Sequence, residues 1–101
     1  MGHPYAVNNV ETLTGTRTIT QAEADENCIF IFDPDGARTM VLPPEATSTG
    51  YVLYISNAAS GAEIITINDD ATNLVASPTL NEDCILFCDG VSWFGLVLTA
   101  S

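Results

Sequence analysis

The sequence contains no lysine, two arginines and one histidine, against thirteen Asp and Glu. A formal charge of −11 on so small a chain repels the phosphates of DNA, RNA and anionic membranes, so nucleic acid and membrane surfaces are excluded as partners. The same scarcity removes most catalytic chemistry. A nucleophile needs an adjacent base, and the single imidazole, His3, sits near the N-terminus in a segment without strand pattern. A zinc site needs three or four closely spaced Cys or His ligands, and neither CxxC nor HxxxH occurs. There is no glycine-rich phosphate loop and no Asn-x-Ser/Thr acceptor. The chain is expected to catalyse nothing and to carry no cofactor and no metal.

Cysteine is scarce too. Cys28, Cys84 and Cys88 are odd in number and too sparse for a disulfide framework. On one strand Cys84 and Cys88 share a face but stand roughly 13 Å apart, too far to bridge. Cys28 can pair with either only if their strands are neighbours. The favoured reading is three small buried hydrophobes in a reducing compartment. No apolar run approaches the ~18 residues of a membrane span. No basic-then-apolar leader opens the chain, and Gly2 lacks the Ser or Thr at position 6 of a myristoylation signal. The expectation is a soluble protein made in a cytoplasm.

What is present is apolar and strand-forming. Hydrophobic residues make up 47% of 101 residues, enough for one domain with one core. Runs rich in Ile, Phe, Val and Tyr recur, separated by turn chemistry. Expected strands are 16–20, 28–32, 38–42, 51–56, 63–68, 74–80, 82–88 and 91–99. Asp33-Pro34-Asp35-Gly36 reads as a tight turn making 38–42 the hairpin partner of 28–32. Pro43-Pro44 stops that strand, Pro78 places 74–80 on an edge, and Asp89-Gly90 turns the last hairpin. The only helix signal is a capping box from Thr20 to Glu23, good for one short turn. The spacing predicts an all-β domain over 15–101: a small β-barrel or β-sandwich of about eight short antiparallel strands, preceded by an extended arm over 1–14. Cys28–Asp33 and Cys84–Asp89 align with each other, and convergence accounts for this more simply than duplication.

The strands do not alternate cleanly. Residues 28–32, 51–55, 64–67 and 84–87 are apolar at nearly every position, whereas a strand in a small two-layer protein reads apolar-in, polar-out. One small core cannot cover both faces of four such strands, so the second face is expected to be buried on other copies of the chain. Subunit-interface candidates are Phe30, Phe32, Tyr51, Tyr54, Phe87 and Trp93. The first residues read either as a frayed terminus or, through His3, Pro4, Tyr5 and Val7, as an extended capsid-contact arm that orders on a neighbouring protein with Tyr5 as anchor.

The carboxylates divide into turn pairs: Asp33 with Asp35, Asp69 with Asp70, Glu82 with Asp83. Solvated turn formers are the favoured reading over a glycosidase pair or a cation site. Asp33-Pro34-Asp35-Gly36 fails as a calcium loop, because Gly falls fourth and no Glu stands at twelve. Trp93 beside the Asp89-Gly90 turn is expected to pack across its hairpin rather than to stack on a sugar. The overall acidity favours solubility over docking on a basic surface.

Leu42-Pro43-Pro44, the loop to Gly50, Tyr51–Asn57, Ile64–Ile67 and Asp89-Gly90-Val91-Ser92-Trp93 together resemble a β-rich module of tailed-bacteriophage virions, found in capsid decoration (cement) proteins and in head- or tail-fibre domains. The likeness covers roughly residues 38–99. It implies a compact β-barrel or β-tulip (jelly-roll-like) homotrimer on the capsid exterior, synthesised in the host cytoplasm, with the major capsid protein as partner. Shortness and a free N-terminal segment favour decoration over fibre. The alternative implied is a fibre module binding a receptor or carbohydrate through Trp93, Tyr51 and Tyr54.

Overall fold

Strand β3 (Ile29–Pro34) buries Phe30, Phe32 and Pro34 and turns Ile29, Ile31 and Asp33 outward. The same period of two runs through β5 (Val52–Asn57), which buries Leu53, Ile55 and Asn57, and β8 (Glu82–Cys88), which buries Cys84, Leu86 and Cys88. These strands form the middle of a five-stranded sheet, completed by β1 (Glu11–Leu13) at one edge and β9 (Trp93–Thr99) at the other, in the order β1-β3-β5-β8-β9. A second sheet has the order β2-β4-β6-β7, built from Arg17–Thr18, Arg38–Val41, Ile65–Asn68 and Leu74–Ala76. The computed structural model describes residues 10–99. Among these the one α-helix is α1 (Gln21–Glu26), with a 3-10 turn at Glu45–Thr47.

The chain is strand-dominated, as the sequence indicates, but its sheets are mixed and do not close into a barrel. From β1 to β6 it alternates between the sheets, and every strand lies parallel to the previous strand of its own sheet: β1 with β3 with β5, and β2 with β4 with β6. Only β7, β8 and β9 run antiparallel to their neighbours. The expected hairpin of 28–32 with 38–42 therefore does not form. Asp33–Gly36 is a corner that carries the chain from one sheet to the other, and the donor at its bend, Asp35 N–H, goes to Leu13 C=O at 3.0 Å. Parallel partners need a crossover, and here the strand in the opposite sheet supplies it.

Both sheets send one face into a single core. Phe30, Phe32, Leu53, Ile55, Leu86 and Trp93 come from the first sheet, and Met40, Ile65, Ile67 and Ala76 from the second. Leu13 is also buried in it, so the inner end of the expected arm is a strand; His3, Pro4, Tyr5 and Val7 lie outside the described residues. Helix α1 forms where the capping box predicts: Thr20 Oγ1 accepts from Glu23 N–H, and Glu23 Oε1 accepts from Thr20 N–H. As expected from Pro78, β7 is an edge strand. The β8–β9 turn needs Gly90, whose φ of +96° is strained for any other L-residue.

Arg17 ties this end of the coil together. Its guanidinium donates to Glu11 and Glu23, at 2.8 and 2.7 Å for the closest contacts, and its Cζ lies 5.9 Å from the centroid of the Phe32 ring. The Arg17 hydrogen bond holds the Glu23 carboxyl down at about 2. A carboxyl lowered in the fold stabilises fully above its unfolded value of 4.5, and that stabilisation fades as pH falls from there through 2. With the Glu23 side chain 34% exposed, solvent screening limits the pair to about 1 kcal/mol. Glu23→Gln is therefore expected to lower the melting temperature at pH 7 and to lower it by clearly less at pH 2, as followed by circular dichroism.

Candidate assembly surface

The outward faces of the two sheets differ in kind. On the second sheet the outward positions are Thr18, Val41, Asn68 and Leu74 in one cross-strand row and Thr39 with Thr66 in another. Four of these six carry a hydroxyl or amide group and suit a wetted surface, with Leu74 an isolated exposed hydrophobe at the β7 edge. On the first sheet Thr12 and Asp33 face outward at the β1 edge, and the remaining outward positions fall into three cross-strand rows. Val52, Phe87 and Phe94 form one, Ile29, Tyr54, Ile85 and Leu96 the second, and Ile31, Ser56, Asp83 and Leu98 the third. Two of these rows contain no charged residue, in a chain carrying thirteen carboxylates. Phe87 and Phe94 stack with ring centroids 5.1 Å apart and remain 47% and 43% exposed; Leu96 is 56% exposed.

Local sequence explains why this face is continuous. Strands β5, β8 and β9 are joined antiparallel in an unbroken register from Val52–Phe87 to Ser56–Asp83 and from Glu82–Thr99 to Cys88–Trp93. Apolar residues at both parities therefore fill the core with one set and the outer face with the other. At Ser56 the side chain is short, and a shallow depression of about 260 Å³ opens there, walled by Ile29, Tyr54, Ile85, Asp83 and Leu98.

The interface candidates divide between the two sides. Tyr54 and Phe87 lie on the outer face. Phe30, Phe32 and Trp93 do not: all three are buried in the chain's own core, because they share the parity of Leu53, Ile55 and Leu86. Trp93 is also fixed by its indole N–H, which donates to Pro43 C=O at 2.9 Å. Tyr51 is half-buried beside α1, where its hydroxyl accepts from Gln21 Nε2 at 2.9 Å and donates to the Asp25 carboxylate. The carbohydrate-stacking set of Trp93, Tyr51 and Tyr54 is thus not a platform, and only Tyr54 belongs to the open face. Sequence reasoning omitted Ile29, Ile31, Val52, Ile85, Leu96 and Leu98 from the candidates because it favoured aromatic residues over strand parity, and it took Trp93 where parity selects the adjacent Phe94. Counting parity outward from Cys84 and Cys88 would have found Ile85 and Phe87 together.

A second concave region, about 420 Å³, is lined by Glu45, Asp69, Asp70, Asn73 and Trp93, among others. Glu45, Asp69 and Asp70 bring carboxylate oxygens within 4.8 Å of one another. Asp69 is committed to its own turn: it accepts from Ala71 N–H at 2.9 Å, Asn73 N–H at 2.8 Å and Asn73 Nδ2 at 3.0 Å. That is turn chemistry and accounts for the residue without an ion.

The thiols are placed for packing. No disulfide joins them, and Cys84 and Cys88 are buried, with burial pushing the Cys84 thiol up to about 12. Since the thiolate is the reactive form, native protein is expected to leave Cys84 and Cys88 unlabelled by an aromatic disulfide reagent at pH 8, and guanidinium chloride to expose all three thiols. Labelling of Cys84 in the folded state at the denatured rate contradicts this placement.

No protein-family model matches the chain, and no curated protein or solved structure is detectably similar to it.

Proposed function

We propose that this chain is a structural assembly protein, a phage capsid decoration protein that works as a homotrimer on the capsid exterior and clamps neighbouring copies of the major capsid protein. The observation that carries the reading is the apolar outer face of the five-stranded sheet, where the Val52-Phe87-Phe94 and Ile29-Tyr54-Ile85-Leu96 rows carry no charge. Its exposed side chains amount to on the order of 600 Å² per copy, at the upper end of the apolar patch that a stable monomer leaves in water. Copies that each carry −11 repel one another wherever carboxylates meet, and the two charge-free rows are the place where they can approach. A basic partner would instead be met by the acidic loops. A second copy is the occupant that this face fits.

In this reading the domain is a β-sandwich whose two sheets have different tasks. One outer face is buried on the trimer axis, and the hydroxyl-rich outer face of the other sheet stays wet. Three linked copies engage the capsid together, so separating two capsid subunits requires several weak contacts to break at once. The acidic surface keeps the crowded particle soluble. The resemblance over residues 38–99 is what ties this assembly to a virion. Heads assembled without the protein are expected to release their DNA at lower temperature and after milder osmotic shock than heads that carry it. Equal resistance of the two would overturn the capsid assignment, leaving a self-assembling β-protein without that role.

A further inference from the structure

The β9 edge differs from the three other sheet edges. β1 has three residues and starts with Glu11, β2 has two and starts with Arg17, and β7 has three and is followed by Pro78. Short strands, charges and prolines are the usual means of blunting an edge. β9 has seven residues, Trp-Phe-Gly-Leu-Val-Leu-Thr, with no charge, no proline and no register break, and every residue but Trp93 is exposed. Its inward parity is open too. Gly95 sits against Val75 C=O and Ala76, and one step further on Val97 is 39% exposed. β9 is therefore an apolar ridge open on its outer face, its edge and part of its inner face.

The same sheet presents a matching hollow. The depression at Ser56 is walled mainly by apolar side chains, and Asp83 is the one carboxylate on its rim. A three-fold ring is heterologous: each copy must offer two different patches, one to each neighbour. The ridge at Leu96 and the hollow over Ser56 are two such patches on one face, sharing Leu98 between them.

We infer that β9 of each copy seats across the outer face of the next copy's five-stranded sheet and places Leu96 in the depression formed over Ser56, covering the unprotected edge. This rests on the self-assembly reading above and specifies its geometry. Leu96 is chosen because it is the most exposed large hydrophobic residue of β9. Ser56 is chosen because it forms the floor of the hollow, between Ile31 and Asp83 in its row. Edge-to-edge pairing of β9 with β9 is the rival geometry. It is isologous, gives two-fold dimers and brings Leu96 against its own copy.

The test is cysteine cross-linking of the full chain in a Cys28→Ala background, in which the native thiols that remain, Cys84 and Cys88, are buried. Within one copy Ser56 and Leu96 are separated by β8, hence by roughly 10 Å or more, beyond what a disulfide spans. Mild oxidation of Ser56→Cys/Leu96→Cys is expected to give a covalent trimer on denaturing gels, and either single substitution to stay monomeric. Covalent dimers from Leu96→Cys alone would overturn the inference in favour of edge pairing. Absence of any cross-link in a sample whose light-scattering mass is trimeric would overturn the seating and leave self-assembly standing. A monomeric mass before oxidation would remove both.

Discussion

Replacing Phe87 and Phe94 together by aspartate is expected to turn the proposed trimer into a folded monomer. The two rings stack on each other at the outer face, each close to half exposed in the single chain. Burying the remaining half of two phenylalanines contributes about 2–3 kcal/mol per copy, and two carboxylates at a desolvated contact add a further penalty. A loss of about 3 kcal/mol is more than a hundredfold in association. The core does not use either ring, so far-ultraviolet circular dichroism should be unchanged. Thr66→Asp, on the outer face of the other sheet, supplies the control: one added charge and no change in mass. If the double aspartate variant keeps its assembled mass, the outer face is not the contact.

Phe32→Ala is expected to have the opposite signature, a severe loss of fold stability. Phe32 is 1% exposed, stacks on Phe30 at 6.1 Å between centroids, and lies under the Arg17 guanidinium. Truncation removes the transfer term and leaves a cavity that β3, held between β1 and β5, cannot collapse. The cost is about 3–5 kcal/mol, and at ~4 °C or more per kcal/mol the melting temperature falls by roughly 12 °C or more. Stability on the order of 5–15 kcal/mol leaves such a variant near its unfolding threshold at 37 °C. Ile31→Ala, one residue away and facing outward, separates the two effects. It should weaken assembly in the otherwise unchanged chain, and in the monomeric double aspartate background it should change the unfolding free energy by less than ~1 kcal/mol. Equal destabilisation by Phe32→Ala and Ile31→Ala would mean that the parity of β3 is misassigned.

Strand identity was legible because it is written locally: β-branched and aromatic runs ending in Gly, Pro or Asp. The α1 capping box and the edge position of β7 were legible for the same reason, since Thr20, Glu23 and Pro78 act within a few residues of themselves. Strand direction was not. Asp33-Pro34-Asp35-Gly36 has the chemistry of a tight turn, and a turn is what it makes. Whether the chain leaves that turn into the same sheet or the facing one depends on what lies beside β3. The answer, β5 from twenty residues further on, is a non-local fact.

The surface was half legible. Apolar residues at both parities of 28–32, 51–55 and 84–87 announce that a second face needs covering, and in the fold those outward residues are Ile29, Ile31, Val52, Tyr54, Ile85 and Phe87. The run at 64–67 misled, because Thr66 points outward and Ile65 and Ile67 inward, as in any strand with one wet face. Choosing interface residues by size favoured Phe30, Phe32 and Trp93, whose parity sends them inward. β9 was underrated because its run from Gly95 to Thr99 carries no aromatic residue, and its outward residues Phe94, Leu96 and Leu98 face away from the second sheet.

The central claim is that the open face of the five-stranded sheet is covered by other copies of the same chain. The most direct measurement is the solution mass by size exclusion with multi-angle light scattering, across protein concentrations at moderate salt. The account predicts a species of three times the 10.7 kDa chain mass, stable to dilution and lost in the Phe87→Asp/Phe94→Asp variant. A single species of 10.7 kDa at every concentration would contradict it, since the apolar rows would then be tolerated in water by a stable monomer.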